Sequence, residues 1–127
     1  MPRRRISSGS PYEATVGCSR AIVVGDRIVT SGTAPIWPDG SCDPDVTVQA
    51  RRCLEIILAA LAEGGATADD VIRTRIYLAD AGDLDAVSRV HGEVFANARP
   101  ANTMVVVSLV DPRWRLEIEA EAIVGSA

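Results

Sequence analysis

The sequence has few of the residues on which several classes of protein depend. Only 4% of its residues are aromatic, namely two tryptophans, two tyrosines and one phenylalanine. Stacking on aromatic rings is a main way of holding single-stranded nucleic acid, so this small supply disfavours such binding. The formal net charge of -4 disfavours it further, because nucleic-acid binders are usually basic. The basic cluster at residues 3–5 is interpreted as a solvated N-terminus, and we expect residues 1–10 to be flexible.

Cysteine and histidine are also scarce. Cys18, Cys42 and Cys53 are an odd number without a Cys-x-x-Cys spacing, which argues against a disulfide framework and a structural zinc site. The single histidine, His91, has no second ligand at metal-binding spacing, so a structural role is favoured. No apolar run approaches the roughly 20 residues that span a bilayer, and no signal-peptide pattern is present. We therefore expect a cytoplasmic protein that does not bind membranes.

The residues that are abundant predict a single domain over residues 1–127. Hydrophobic residues make up 47% of the chain, so its core rests on valine, isoleucine, leucine and alanine. Helical periodicity predicts two helices, over 46–63 with Asp45 as N-cap and over 84–96 with Asp83 as N-cap.

Runs of β-forming residues predict five strands, at 21–24, 27–30, 71–78, 103–110 and 115–124. Gly25-Asp26 predicts a hairpin between the first two strands. The run at 103–110 is typical of a strand buried on both faces, and Asp111-Pro112 predicts a tight turn that joins it to the last strand. The order ββαβαββ favours an α+β fold with both helices on one face of a mixed sheet.

The last strand carries three carboxylates on one face, Glu117, Glu119 and Glu121, because strand side chains alternate. Such a row is either a solvated face or the wall of a site or interface. Arg73 and Arg75 share one face of the strand at 71–78 and are natural partners for the row. We therefore predict that these two strands are neighbours.

Several segments resemble one family. Residues 100–107, Pro-Ala-Asn-Thr-Met-Val-Val-Val, and residues 116–122, Leu-Glu-Ile-Glu-Ala-Glu-Ala, resemble the closing signature of the RidA/YjgF family, also called endoribonuclease L-PSP. Residues 31–35, Ser-Gly-Thr-Ala-Pro, resemble its Ser-Gly-x-x-Pro segment, and Pro11-Tyr12 resembles its Gly-Pro-Tyr segment. The resemblance covers nearly the whole chain.

The resemblance implies a chorismate mutase-like fold that assembles as a compact homotrimer, with small-molecule clefts between adjacent subunits. The best-known activity of the family is hydrolysis of reactive enamines and imines to 2-keto acids and ammonia. That chemistry needs no metal or organic cofactor. It asks for an arginine that grips the substrate carboxylate and a group that places water against the imine carbon.

The resemblance also assigns site residues. Glu117 matches the water-positioning glutamate, and the positions that match the family's pocket are Tyr12, Ser31, Gly32, Ser88 and Met104. Ser88 stands where many members have asparagine, and Met104 stands where many have cysteine. Asn102 replaces the substrate-binding arginine.

The replacement at Asn102 predicts weak or absent activity on 2-imino acids. A hydrogen bond to a charged group contributes roughly 1.5–3 kcal/mol, so losing one weakens carboxylate binding about ten- to a hundredfold. Three hypotheses stay open: a cleft for another small molecule with Asn102 as polar anchor, an imine deaminase that uses Arg75 or Arg99 as its cation, and a non-enzymatic regulatory trimer.

Overall fold

The computed structural model of the protein describes residues 2–127. Its strands and helices are, in chain order, β1 (Arg3–Ile6), α1 (Tyr12–Val16), β2 (Ala21–Val24), β3 (Arg27–Thr30), α2 (Val46–Glu63), β4 (Val71–Leu78), α3 (Leu84–Val94), β5 (Ala101–Val106) and β6 (Leu116–Ile123). The strands form one sheet in the order β1-β2-β3-β6-β4-β5. Only β4 and β5 run parallel, so the sheet is mixed, as predicted.

The long helix α2 begins and ends where the sequence predicted. The Asp45 side chain accepts a hydrogen bond from the Val48 backbone N–H at 3.1 Å, which caps the first turn. Gly65 adopts a φ of 90° after the last turn, a conformation that costs glycine little. The extent of β4 and the hairpin of β2 with β3 are likewise confirmed.

The N-terminal segment is more ordered than predicted. Arg3–Ile6 pairs antiparallel with β2 and forms one edge of the sheet. Ile6 is only 3% exposed, and the Arg4 guanidinium donates to the Glu63 carbonyl at 2.8 Å. The expectation of a flexible segment at residues 1–10 is therefore wrong for β1, because Ile6 joins the core and β2 supplies a hydrogen-bonding edge.

The predicted hairpin between the last two strands is wrong. β5 pairs with β4 in parallel, and β6 lies on the other side of β4, between β4 and β3. Because α3 provides the crossover that a parallel pair requires, β5 is carried to the sheet edge. It is largely exposed there instead of buried on both faces.

Asp83 is the N-cap residue of α3, as predicted, but its side chain has a different role. The Asp83 carboxylate makes no capping bond and instead accepts two hydrogen bonds from Arg115, at 2.6 and 3.0 Å. This bidentate pair fixes the start of β6 against the start of α3.

The two faces of the sheet have opposite chemistry. The core lies between the sheet and α2 with α3, and Ile28, Ile76 and Ile118 in it are fully buried. We call the opposite surface the open face. It carries the alternate residues of β4 and β6, namely Arg73, Arg75, Tyr77, Glu117, Glu119 and Glu121. The predicted pairing of the arginine strand with the carboxylate strand is confirmed, with Arg75 opposite Glu119.

Candidate functional site

The three carboxylates of the open face differ in their partners. Glu119 accepts hydrogen bonds from the Tyr77 hydroxyl and, at 3.4 Å, from Arg75. Glu121 accepts from Arg27 at 2.6 Å and from Arg75 at 3.4 Å. Within residues 2–127, the Glu117 carboxylate accepts no hydrogen bond from a side chain or backbone group and forms no ion pair. Of the three carboxylates, Glu117 is therefore the one available to contact water or a ligand.

The Glu117 carboxylate lies close against Gly32. A Cβ atom built on Gly32 would lie 3.1 Å from Glu117 Oε2, so a larger residue at Gly32 would displace the carboxylate. Burial raises the pKa of Glu117 above its ordinary value, the charge of Arg20 opposes that rise, and the charge of Glu119 adds to it. A half-buried carboxyl of this kind is suited to exchange protons closer to neutral pH.

Arg20 builds the wall beside Glu117. Its Nη2 donates to the Ser31 carbonyl at 2.8 Å, the Gly32 carbonyl at 3.3 Å and Thr33 Oγ1 at 2.5 Å. Ser31 Oγ donates in turn to the Ser19 carbonyl at 2.6 Å. These bonds fix the turn after β3 and hold a cation near the carboxylate. Sequence reasoning missed Arg20, because its contacts are formed by tertiary folding.

Tyr12 does not join this group. Its side chain is 71% exposed on α1, and it does not line the cavities that contain Ser31, Gly32 or Glu117. The cavity that contains Ser31 is lined by Cys18 and not by Tyr12 or Glu117. Of the predicted pocket residues, Gly32 is brought to Glu117, whereas Ser31 lines a separate cavity and Tyr12 is not brought to Glu117 within one protomer.

A second group of predicted site residues gathers on α3 and β5. Asn102 Nδ2 donates to Thr74 Oγ1 at 2.9 Å, and Thr74 Oγ1 lies 2.8 Å from His91 Nε2. Thr74 is fully buried, and burial lowers the pKa of His91. Ser88 Oγ lies 4.0 Å from Met104 Sδ at the same edge. Asn102 is therefore already engaged by the fold.

The two groups lie on opposite sides of the sheet. The register pairs Asn102 with Thr74 and Met104 with Ile76, so these side chains share the helix-covered side. Glu117 pairs with Tyr77 on the open face. One protomer cannot bring Asn102 and Glu117 together in a single pocket.

Comparisons with known proteins agree with this architecture. The family described as Endoribonuclease L-PSP matches residues 9–124. The chain belongs to this family. A crystal structure of Rv2704 from Mycobacterium tuberculosis, described as a member of the YjgF/YER057c/UK114 family, superimposes with a TM-score of 0.88 at 40% identity, covering 97% of this chain and 100% of that one.

Two curated relatives have different descriptions. An uncharacterised protein of Streptomyces coelicolor is 39% identical over 127 residues, which cover 97% of this chain and 93% of that protein. A protein of Escherichia coli named 2-iminobutanoate/2-iminopropanoate deaminase is 31% identical over 108 residues, which cover 82% of this chain and 84% of that protein. The L-PSP family thus includes relatives with a named activity and relatives without one.

Arg75 and Arg99 are the arginines considered from the sequence as cations for an imine deaminase. Neither forms an ion pair with the Glu117 carboxylate. Arg75 contacts Glu119 and Glu121, as described above. Arg99 has a φ of 45° and lines cavities with Pro100 near the end of α3. For this L-PSP family member, Arg20 is the cation that lines a cavity together with Glu117 and acts on its pKa.

Residues 2–127 contain no cluster of three or more histidine, cysteine, aspartate or glutamate side chains that could hold a metal ion. None of the helices described is both long and apolar enough to cross a membrane.

Proposed function

We propose that the protein is a trimer that binds or processes a small metabolite at a cleft between subunits, with Glu117 as acid/base and weak or no hydrolysis of ordinary 2-imino acids. The observation that carries this proposal is the half-buried Glu117 carboxylate over Gly32, with its raised pKa. We also infer a cytoplasmic location, which the free thiols of Cys18, Cys42 and Cys53 support.

The chemistry available to Glu117 is proton transfer to and from water. In hydrolysis of a protonated imine, the ionised carboxylate takes a proton from water as the water oxygen bonds to the C=N carbon and the π electrons move to nitrogen, which gives a neutral carbinolamine. The carboxyl group then returns its proton to the carbinolamine nitrogen, and ammonia leaves as the C–N bond breaks, the carbonyl forms and the hydroxyl proton passes to the carboxylate. A carboxyl with a raised pKa suits both steps.

The assembly is inferred from the division of the site. The matched positions Asn102, Ser88 and Met104 lie on the side of the sheet opposite Glu117, so a neighbouring subunit is required to unite them. Exposed valines support contact between copies, since Val105 is 41% and Val106 is 56% exposed. Trimers are typical of the L-PSP family, and a cyclic trimer places different surfaces of adjacent subunits together.

Weak activity on 2-imino acids follows from Asn102. An asparagine cannot form the charge-assisted bidentate pair that arginine forms with a carboxylate. Its amide nitrogen also donates to Thr74, so it is partly committed within its own protomer. Asn102 can act as a neutral polar anchor for a ligand through its remaining donor and its carbonyl oxygen.

A second candidate function is active imine deamination with Arg20 as the replacement cation. The observation that favours it is the position of Arg20 along the cavity that contains Glu117 and Gly32. Arg20 Nη2 is occupied by the turn at residues 31–33, which leaves the other guanidinium nitrogens to meet a carboxylate.

The test is ammonia release from 2-aminoacrylate generated in the assay by a serine dehydratase. Wild type is compared with Asn102→Arg, and Glu117→Gln is made in both backgrounds. We expect wild type to be close to the uncatalysed rate and Asn102→Arg to gain activity that depends on Glu117. A wild-type rate that matches a deaminase and falls in Arg20→Met would support the second candidate instead.

Sedimentation of the wild type is the companion measurement. We expect a trimer, and a stable monomer at micromolar concentration would contradict the intersubunit cleft. A trimer in which neither wild type nor Asn102→Arg releases ammonia would favour a non-enzymatic binding role.

A further inference from the structure

The Glu117 pocket opens into a larger cavity that extends to α2. This cavity, of about 730 Å³, lies between α2, the loop at residues 7–11 and the loop at residues 34–40. Its walls include both tryptophans of the chain, Trp37 and Trp114. We call it the tryptophan cavity. Its volume lies within the range of about 300–1,000 Å³ that is common for small-molecule sites.

Trp37 is held in the wall by a basic residue of α2. The Arg52 guanidinium lies over the Trp37 ring, with its central carbon 5.7 Å from the ring centroid. Arg52 Nε donates to the Ile36 carbonyl at 2.9 Å, which fixes the guanidinium in that position. Ile56 and Ala59 extend the wall along α2. The cavity therefore presents an aromatic and aliphatic surface with a defined shape.

The polar end of the cavity is the end that contains Glu117. The tryptophan cavity is lined at this end by Glu117, Gly32 and Arg20. One ligand can therefore contact this polar end and the tryptophans at the same time. Arg20 Nε and Trp114 Nε1 are shielded from solvent and have no hydrogen-bond acceptor among the described residues. Ligand oxygens that reached these donors through small side-chain rotations would relieve the cost of leaving them unsatisfied.

We propose that the tryptophan cavity is the specificity pocket of the Glu117 site and takes a planar aromatic carboxylic acid, its ring against Trp37 and Trp114 and its carboxylate toward Arg20. This deepens the proposed function, on which it rests, by naming the substrate class as aryl-substituted imino or keto acids. A cavity of this size and lining leaves a three- or four-carbon acid poorly covered, whereas an aromatic ring fills apolar space beside the tryptophans.

The test compares 3-phenylpropanoate with propanoate by isothermal titration calorimetry on the wild-type assembly. The two probes share a carboxylate and an alkyl chain and differ by the ring. We expect 3-phenylpropanoate to bind about tenfold or more tightly than propanoate, because burying the ring removes apolar surface from water. Intrinsic tryptophan fluorescence gives a second readout, since both tryptophans line the cavity.

Variants locate the bound ring and the bound carboxylate. Trp37→Ala should weaken 3-phenylpropanoate about tenfold and leave propanoate unchanged, whereas Leu84→Ala removes an exposed apolar side chain on α3, outside the cavity, and should change neither. Arg20→Met should weaken both acids. Arg51→Met is its control, because Arg51 pairs with Glu93 on the exposed side of α2. Circular dichroism checks folding, and Arg20→Lys replaces Arg20→Met if that variant unfolds.

The outcomes separate this inference from the proposed function. Equal affinity for the two acids, or binding of 3-phenylpropanoate that Trp37→Ala leaves intact, would overturn the inference. If the probes discriminate as expected but Glu117→Gln has no effect on turnover, the pocket assignment stands and the acid/base role fails. If Asn102→Arg gains Glu117-dependent activity while 3-phenylpropanoate does not bind, the function stands and the pocket assignment fails.

Discussion

The two groups of matched site residues differ in how far the fold already satisfies them. On the α3 side, Asn102 and His91 both use the buried Thr74 hydroxyl, so this group contributes to folding. On the open face, Glu117 is half-buried over Gly32, while its neighbours Glu119 and Glu121 bind tyrosine or arginine. Residues on one strand face can therefore have different partners, and this difference supports the proposal that Glu117 alone of the three carboxylates carries the chemistry.

The largest expected effect tests that assignment directly. In the Asn102→Arg background, Glu117→Gln should lower the rate of ammonia release by about 10²–10⁴-fold, the usual contribution of a positioned acid or base. The measurement is the steady-state rate with 2-aminoacrylate generated in the assay. Glu121→Gln is the matched control, because Glu121 lies on the same strand face and is paired with Arg27. A similar loss in both variants would remove the distinction between the carboxylates.

Mixed trimers test whether the two groups meet across subunits. One chain carries Asn102→Arg with Glu117→Gln, and the other carries the wild-type residues at both positions. Each assembly alone should be nearly inactive. After unfolding and refolding together in equal amounts, about a quarter of the clefts of a cyclic trimer should pair Arg at position 102 with Glu117 of a neighbour. Activity that stays at the level of the separate assemblies would place both residues in one protomer or outside the site.

The sequence predicted the elements better than their partners. Period-two alternation and capping residues are local, so α2 and β4 were predicted to their ends and the carboxylate row was placed on one face. The pairing of β5 depends on α3 crossing the sheet, which is a tertiary event. The apolar run of β5 therefore indicated a buried strand, whereas in the protomer it is an exposed edge.

The candidate site was only partly predictable for the same reason. Family resemblance identified Glu117, Gly32 and Ser31. The structure places Gly32 against Glu117, whereas the Ser31 hydroxyl donates to the Ser19 carbonyl. Arg20 carries no motif by itself, and its role depends on carbonyl groups that turn toward it after β3. Tyr12 followed a proline as in the family segment, but α1 places its side chain in solvent.

An intermediate effect on stability tests whether the Thr74 hydroxyl holds the α3 group together. Thr74→Val keeps the shape of the side chain but removes the hydroxyl that joins Asn102 to His91. Leaving partly buried polar groups without this partner should lower the free energy of unfolding by about 1–3 kcal/mol, measured by urea denaturation. Thr103→Val, on the exposed neighbouring strand, should change it by less than about 0.5 kcal/mol. Equal effects would show that the buried hydroxyl contributes nothing special.

The smallest expected effect is a gain of stability when Glu117, on the open face, is replaced by glutamine. The folded state raises the pKa of Glu117, so the stability linked to its protonated form is present below the ordinary value of 4.5 and is lost as pH rises through the raised pKa. Glu117→Gln has no carboxyl group to ionise, so it should raise the free energy of unfolding at neutral pH by on the order of 1 kcal/mol. The difference from wild type should shrink in acid, where Glu117 is protonated. Glu121→Gln should instead destabilise it, because Arg27 and Arg75 lose a charged partner. Urea denaturation across this pH range measures both. A desolvated functional group is maintained at a cost to stability, so removing it should not destabilise the protein. If Glu117→Gln destabilised the protein as Glu121→Gln does, Glu117 would be a structural carboxylate like its neighbours.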